Sequence, residues 1–295
     1  MDQRVPLRTW EARQLAERML ADYDARRPNE IFAERGTEWL TLDDAYLLQR
    51  TVAKLRVARG ERCLGYKVGC LSSSVQEQLG LREPVCGYLW QTEAITSGSC
   101  LTYEPRGGTN GSGFVNLAIE GEIALRLSQD VSADTTIDQG IEDFVECWFP
   151  VIELHNAVFR GPKPTSKELV AGNAMHAGFV MPSFPRDSCL SALNQAEIRI
   201  EIDGRLVEKK SVADLPEGPL GSVRRVASLL RPTTERLKAG DIVLTGSPGK
   251  LLPIGGSCAI AVGCEGQRVE VFVQSGSTVS ESQDGFCGFD FSGAN

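Results

Sequence analysis

Apolar positions near the start of the chain recur at helical spacing: Ala12, Leu15, Ala16, Met19 and Tyr23 form one stripe with a period of about 3.6 residues. A second stripe, Ala45, Leu48, Val52 and Leu55, follows Thr41 and Asp44, which are spaced as a capping box, and ends at Gly60. Pro28 to Gly36 is expected to be the loop between them. A short helix is expected over Ser74 to Leu79, capped by Ser72 or Ser73 and stopped by Gly80. From about Ile119 the period drops to two, with strand patterns over Ile119 to Leu127, Val151 to Leu154, Ala177 to Met181, Glu197 to Ile202 and Arg205 to Lys209. Asp203-Gly204 marks a hairpin between the last two. A helix over Leu220 to Leu230 and strands over Asp241 to Thr245, Cys258 to Val262 and Val269 to Val273 complete the pattern. Helices first and strands afterwards make this an α+β chain rather than an alternating one. The expected division is a helical region over 1–62, a β-rich catalytic domain over 63–274 and a flexible tail over 275–295, with a second mobile, glycine-rich stretch from Arg106 to Gly113.

Composition narrows the function. The 295 residues are 24% charged and 42% hydrophobic, a balance that excludes disorder of the whole. A net charge of −8 argues against nucleic acid and anionic lipid as partners. No uninterrupted apolar segment suits a secretory signal or a membrane span, and nine cysteines without a Cys-x-x-Cys pair fit a reducing cytoplasm better than a disulfide framework. With two histidines, and neither a Gly-x-Ser-x-Gly elbow nor a Walker loop, several common enzyme classes fall away.

In the strand from Ile119, alternation sends Ile119, Ile123, Leu125 and Leu127 to one face and Glu120 and Glu122 to the other. Read alone, such a pair is also a common solvated strand face. A third acid, Glu153, lies within the apolar run Pro150 to Leu154, where a carboxylate needs a partner. Three converging carboxylates repel one another, and a hard divalent cation such as Mg²⁺ or Mn²⁺ would keep all three ionised.

The chain at this point resembles the fumarylacetoacetate hydrolase superfamily, in its 2-oxopent-4-enoate hydratase and 4-oxalocrotonate decarboxylase branch. The likeness runs from about Thr41 to Val273 and rests on several segments together. These are Gly65-Tyr66-Lys67-Val68-Gly69, Val75-Gln76-Glu77-Gln78-Leu79-Gly80, Glu120-Gly121-Glu122-Ile123-Ala124, Pro150-Val151-Ile152-Glu153 and Gly240-Asp241-Ile242-Val243-Leu244-Thr245-Gly246-Ser247. The resemblance implies a twisted mixed β-roll with helices outside, a Mg²⁺ or Mn²⁺ site at Glu120, Glu122 and Glu153, a small 2-oxo acid substrate and a homo-oligomer. It implies Lys67 and Glu122 as catalytic groups, and a pocket contributed by Leu71, Val85, Asn173 and Ser247. Glycines on either side of Lys67 would let the backbone approach a ligand closely. Two departures stand out: Val85 occupies a place where many hydratases carry Asp, and Ala171-Gly172-Asn173-Ala174-Met175 lacks the usual acid. His155, two residues beyond Glu153 and on its face if the strand continues, is then the candidate replacement acid or base; His176 is a second, and a structural role is open to both. The implied activity is a metal-dependent lyase hydrating a 2-hydroxydienoic acid. Decarboxylation of a 2-oxo diacid comes next, then acylpyruvate-type C–C hydrolysis, then a non-catalytic partner subunit.

Overall fold

The computed structural model describes residues 6–104, 113–131, 140–159, 163–185 and 190–275. Most of the Arg106 to Gly113 stretch and of the tail from Ser275 lies outside these residues. Three helices open the chain: α1 (Thr9–Asp24), α2 (Glu30–Arg35) and α3 (Leu42–Ala58). The capping box at the start of α3 forms as spaced, with Asp44 N donating to Thr41 Oγ1 at 3.1 Å and Thr41 N to Asp44 Oδ2 at 2.9 Å. The loop expected from Pro28 to Gly36 instead contains α2. Glu30 N donates to Asp22 Oδ2, and Ile31 and Phe32 are buried against α1, which supplies the tertiary support that six residues lack alone.

The rest of the chain runs β1 (Cys63–Gly69), α4 (Ser73–Leu79), β2 (Val85–Trp90), β3 (Ala94–Thr96), β4 (Cys100–Tyr103), β5 (Leu117–Leu127) and β6 (Val145–Asn156). It continues through α5 (Ser166–Ala171), β7 (His176–Met181), α6 (Leu190–Leu193), β8 (Glu197–Ile202), β9 (Arg205–Ser211), α7 (Gly218–Leu230), β10 (Ile242–Leu244), β11 (Leu252–Pro253), β12 (Cys258–Cys264) and β13 (Gln267–Ser275). Strands therefore begin well before Ile119. β2 is buried at every residue, so it carries no alternation for periodicity to detect.

Two mixed sheets result. One follows the order β2-β1-β10-β5-β6-β7-β3, with β11 added alongside β5; the other follows β4-β13-β12-β8-β9. Their facing sides share one core in which Leu117, Ile119, Ile123 and Leu125 of β5 meet Ile198, Ile200, Ile260 and Val271. Gly121 lies at this junction: a Cβ there would stand 3.0 Å from Ile198 and Ile200. On the opposite side of the larger sheet, Leu89 of β2 and Phe179 of β7 join a single apolar cluster, so the sheet curls until its flanking strands approach each other. The N-terminal helices close the open side through a third cluster that includes Leu15, Leu48, Leu79, Val85 and Leu169. No helix among the described residues is long and apolar enough to cross a membrane. The expected order of helices followed by a curled mixed sheet is the order observed.

Candidate active site

The β5–β6 ladder lays out the polar face of the larger sheet. Its antiparallel register sets Glu120 directly opposite Glu153, Ala118 opposite His155 and Glu122 opposite Val151. Glu120 and Glu122 therefore share a face with Glu153 and His155, as alternation requires. β10 is inserted beside β5, and its other neighbour, β1, brings Lys67 into register with Leu244 on that same face. Lys67, Glu122, Glu153 and His155 are all buried, while the Glu120 side chain keeps 20% of its exposure.

The contacts form one network. Lys67 Nζ is 3.2 Å from Glu153 Oε1, and His155 Nε2 lies 3.0 Å from Glu120 Oε2 and 3.5 Å from Glu153 Oε2. Glu122 Oε2 accepts the backbone N–H of Gly246 at 2.8 Å. Gly246 has a φ of 87°, and a Cβ on it would lie 2.1 Å from Leu71, so only glycine delivers this donor. Burial and the charges of Glu153 and Glu120 hold the Glu122 carboxyl well above the usual range. Burial also opposes ionisation of Glu153, yet Lys67 and His155 outweigh it and keep this carboxyl well below its usual value. For Lys67, burial is overcome by the three glutamates and the ammonium is retained. Burial would lower His155 as well, but Glu153 and the hydrogen bond to Glu120 raise it to about 9. The mutual repulsion of the three carboxylates thus falls chiefly on Glu122.

These groups fit a divalent cation. Single ligand atoms of Glu120, Glu153 and His155 lie within 4.8 Å of one another, and Glu122 Oε1 and Glu153 Oε2 are buried without a hydrogen-bond partner. Carboxylate oxygens are the donors that a hard cation prefers.

Lys67, Glu120, Glu122 and His155 line a cavity of about 320 Å³, together with Leu71, Val85 and Ser247. Ser247 lies on the wall, but its hydroxyl donates to Gly121 O at 3.3 Å and accepts from Gly249 N at 3.0 Å. Asn173, expected in this pocket, lines a separate small cavity beside α3. Both ends of its amide are spent on Tyr88, with Oδ1 accepting the backbone N–H at 2.7 Å and Nδ2 donating to the carbonyl at 3.0 Å. The glycines around Lys67 also serve another purpose than expected. Gly65 admits the β10 backbone, since a Cβ there would lie 2.0 Å from Ile242 O, and Gly69 gives room to the Lys67 ammonium itself.

Spacing gave no warning of the apolar wall formed by Val75, Leu79, Leu169 and Met175. Met175 reaches it through three consecutive residues with positive φ, Asn173, Ala174 and Met175, at 57°, 53° and 63°. Alanine and methionine carry no signal for that conformation, so no sequence cue existed.

A family model described as the fumarylacetoacetate (FAA) hydrolase C-terminal domain matches residues 60–288. Among characterised relatives, the TodF product hydratase of Pseudomonas putida is 27% identical over 73% of this chain and 77% of its own length. The 2-keto-4-pentenoate hydratase of Paraburkholderia phymatum is 29% identical over 71% and 77%. Among solved structures, the 4-oxalocrotonate decarboxylase of Pseudomonas putida G7, complexed with magnesium and adipate, superposes with a TM-score of 0.77 at 22% identity, covering 91% of this chain and 98% of that one.

Proposed function

The chain belongs to the fumarylacetoacetate hydrolase family, and we propose that within it the protein is a metal-dependent lyase that hydrates a small 2-hydroxydienoic acid. The observation that carries this reading is the cluster itself: three glutamates on one face of β5 and β6, with Lys67 3.2 Å from Glu153, and a largely apolar cavity that Lys67, Glu120 and Glu122 line. Glu120, Glu122 and Glu153 would hold Mg²⁺ or Mn²⁺. When bound, the ion supplies positive charge for the carboxylate and 2-oxygen of an oxo acid.

Lys67, held charged in the pocket, moves a proton between the dienol and the unsaturated ketone. Were Glu120 and Glu153 ligands of that ion, their hold on the His155 proton would weaken, and the imidazole would accept a proton from the water that adds at the distal carbon. Val85 can do neither task, so the acid that many related hydratases carry there is replaced from β6. Leu71, Val75, Leu79, Val85, Leu169 and Met175 line the cavity. These apolar side chains suit an apolar tail, while Lys250 on the same cavity is a cation that a second carboxylate would meet. Decarboxylation of a 2-oxo diacid is the second reading, favoured by Val85 because loss of CO₂ needs no base for water. The segment likeness also implies a homo-oligomer.

The test is Mn²⁺ titration with turnover on dienols and 2-oxo diacids. The parent should bind about one ion per chain, and Glu122→Gln should bind it more weakly. His155→Ala should lower hydration by roughly 10² to 10⁴-fold at nearly constant Mn²⁺ affinity. Loss of Mn²⁺ affinity in His155→Ala would make this imidazole a ligand instead of a base, and release of CO₂ from a diacid without hydration would install the second reading.

A further inference from the structure

Glu153 is as fully buried as Glu122, and its two oxygens are treated differently. Oε1 receives Lys67 Nζ at 3.2 Å and His176 Nδ1 at 2.8 Å, while Oε2 makes no hydrogen bond and meets only His155 Nε2 at 3.5 Å. His176 is itself buried at the start of β7, in register with His155 across a bulge in β6. Its other ring nitrogen, Nε2, lies 3.9 Å from Glu93 Oε2, and neither atom has another partner. Glu93 is anchored from behind: its Oε1 accepts Tyr23 Oη at 2.5 Å and pairs with Arg56 at 2.7 Å, and Arg56 continues to Glu61 at 2.5 Å. A buried polar chain therefore runs from the acid cluster through His176 and Glu93 to α1 and α3.

We infer that His176, backed by Glu93, is a positioning residue that fixes the rotation of the Glu153 carboxylate and turns its Oε2 towards the cation site. This inference rests on the metal-site reading given above. Two donors on Oε1 leave one oxygen to act as a ligand, and a carboxylate held in this way does not have to be ordered when the ion arrives. Hydrogen-bonded supports of metal ligands typically govern 10–100-fold in affinity. His176 also shares the oxygen that Lys67 grips, so the ammonium is not the sole donor to that oxygen and can exchange its proton with substrate.

The experiment is calorimetric titration of the full chain with Mn²⁺, with metal-free melting as the control for folding. His176→Leu should weaken Mn²⁺ binding by roughly 10–100-fold. His176→Asn, which returns a donor near the Nδ1 position, should recover most of that loss, and Glu93→Gln should cause a smaller loss of Mn²⁺ affinity in a chain that still melts cooperatively but at a lower temperature, because Arg56 loses one of its two acidic partners. Turnover at saturating Mn²⁺ should remain reduced in His176→Leu, as a fall in kcat more than a rise in KM. Parent-like Mn²⁺ affinity in both His176→Leu and Glu93→Gln overturns the inference, as does equal loss in the Leu and Asn variants. If the parent chain itself binds no Mn²⁺, the metal-site reading fails first and this inference falls with it.

Discussion

Replacement of Lys67 by methionine isolates the electrostatic heart of the cluster, because methionine keeps the apolar stem and deletes only the charge that faces Glu153. Breaking a buried ion pair by removing one partner typically costs about 3–5 kcal/mol, since the other charge is left without its counter-ion. Here Glu153 keeps His176 at 2.8 Å and has His155 at 3.5 Å, which points to the lower end, about 3 kcal/mol. With an unfolding entropy of about 2.1 cal/mol/K per residue, 295 residues give about 0.6 kcal/mol/K, so the metal-free variant should melt about 5 °C below the parent. Excess Mn²⁺ should shrink that gap, because an ion held by the same carboxylates supplies the missing positive charge. Turnover should be abolished in both conditions. Differential scanning calorimetry with EDTA and then with Mn²⁺ reads both effects. Identical melting in EDTA, or a gap of several degrees that Mn²⁺ leaves untouched, would refute the idea that Lys67 and the cation neutralise one acid cluster.

Other consequences follow from the packing and charge around the site. Gly121→Ala would push a methyl against Ile198 and Ile200 at 3.0 Å, an overpacking that costs about 1–3 kcal/mol. Its melting temperature should drop by a few degrees, with a loss of Mn²⁺ affinity from displaced Glu120 and Glu122. Burial opposes ionisation of Glu61, but hydrogen bonds from Arg56, Thr92 and Arg59 hold it at about 2 against an ordinary 4.5. Its contribution is therefore complete above pH 4.5 and is lost as pH falls towards 2. Glu61→Gln should lower stability at neutral pH and flatten the melting profile across that acid range.

Much of the acid cluster was legible because β-strand alternation is a strict period: Glu120, Glu122, Glu153 and His155 needed only the right strands to share a face. Lys67 was legible through resemblance, and its position depends on a pairing between β1 and β10 that no local pattern encodes. Glu93 and His176 were not connected in advance because the parallel pairing of β3 with β7, Ala94 against Phe179, brings them together. Asn173 was misassigned for a different reason. A polar amide beside a pocket reads as a ligand contact, but β2 ends the sheet, and its Tyr88 N–H and C=O required a partner when buried. Helix α2 escaped notice because its six residues are stabilised by α1 and not by their own propensity.

The place of β10 between β1 and β5 also sets an order in time. Lys67 and Glu122 belong to strands that join one sheet only when Ile242–Leu244 pairs with both, more than a hundred residues later in the chain. Synthesis proceeds from the N-terminus, so β5 and β6 can pair while β10 is still unmade, leaving the β5 edge unpaired and three acids without their lysine. Pairings of such long sequence separation are slow to form. The nascent protein should therefore carry a half-built, strongly acidic sheet that chaperones can hold, and its catalytic competence should appear as a late step when the short strand locks in.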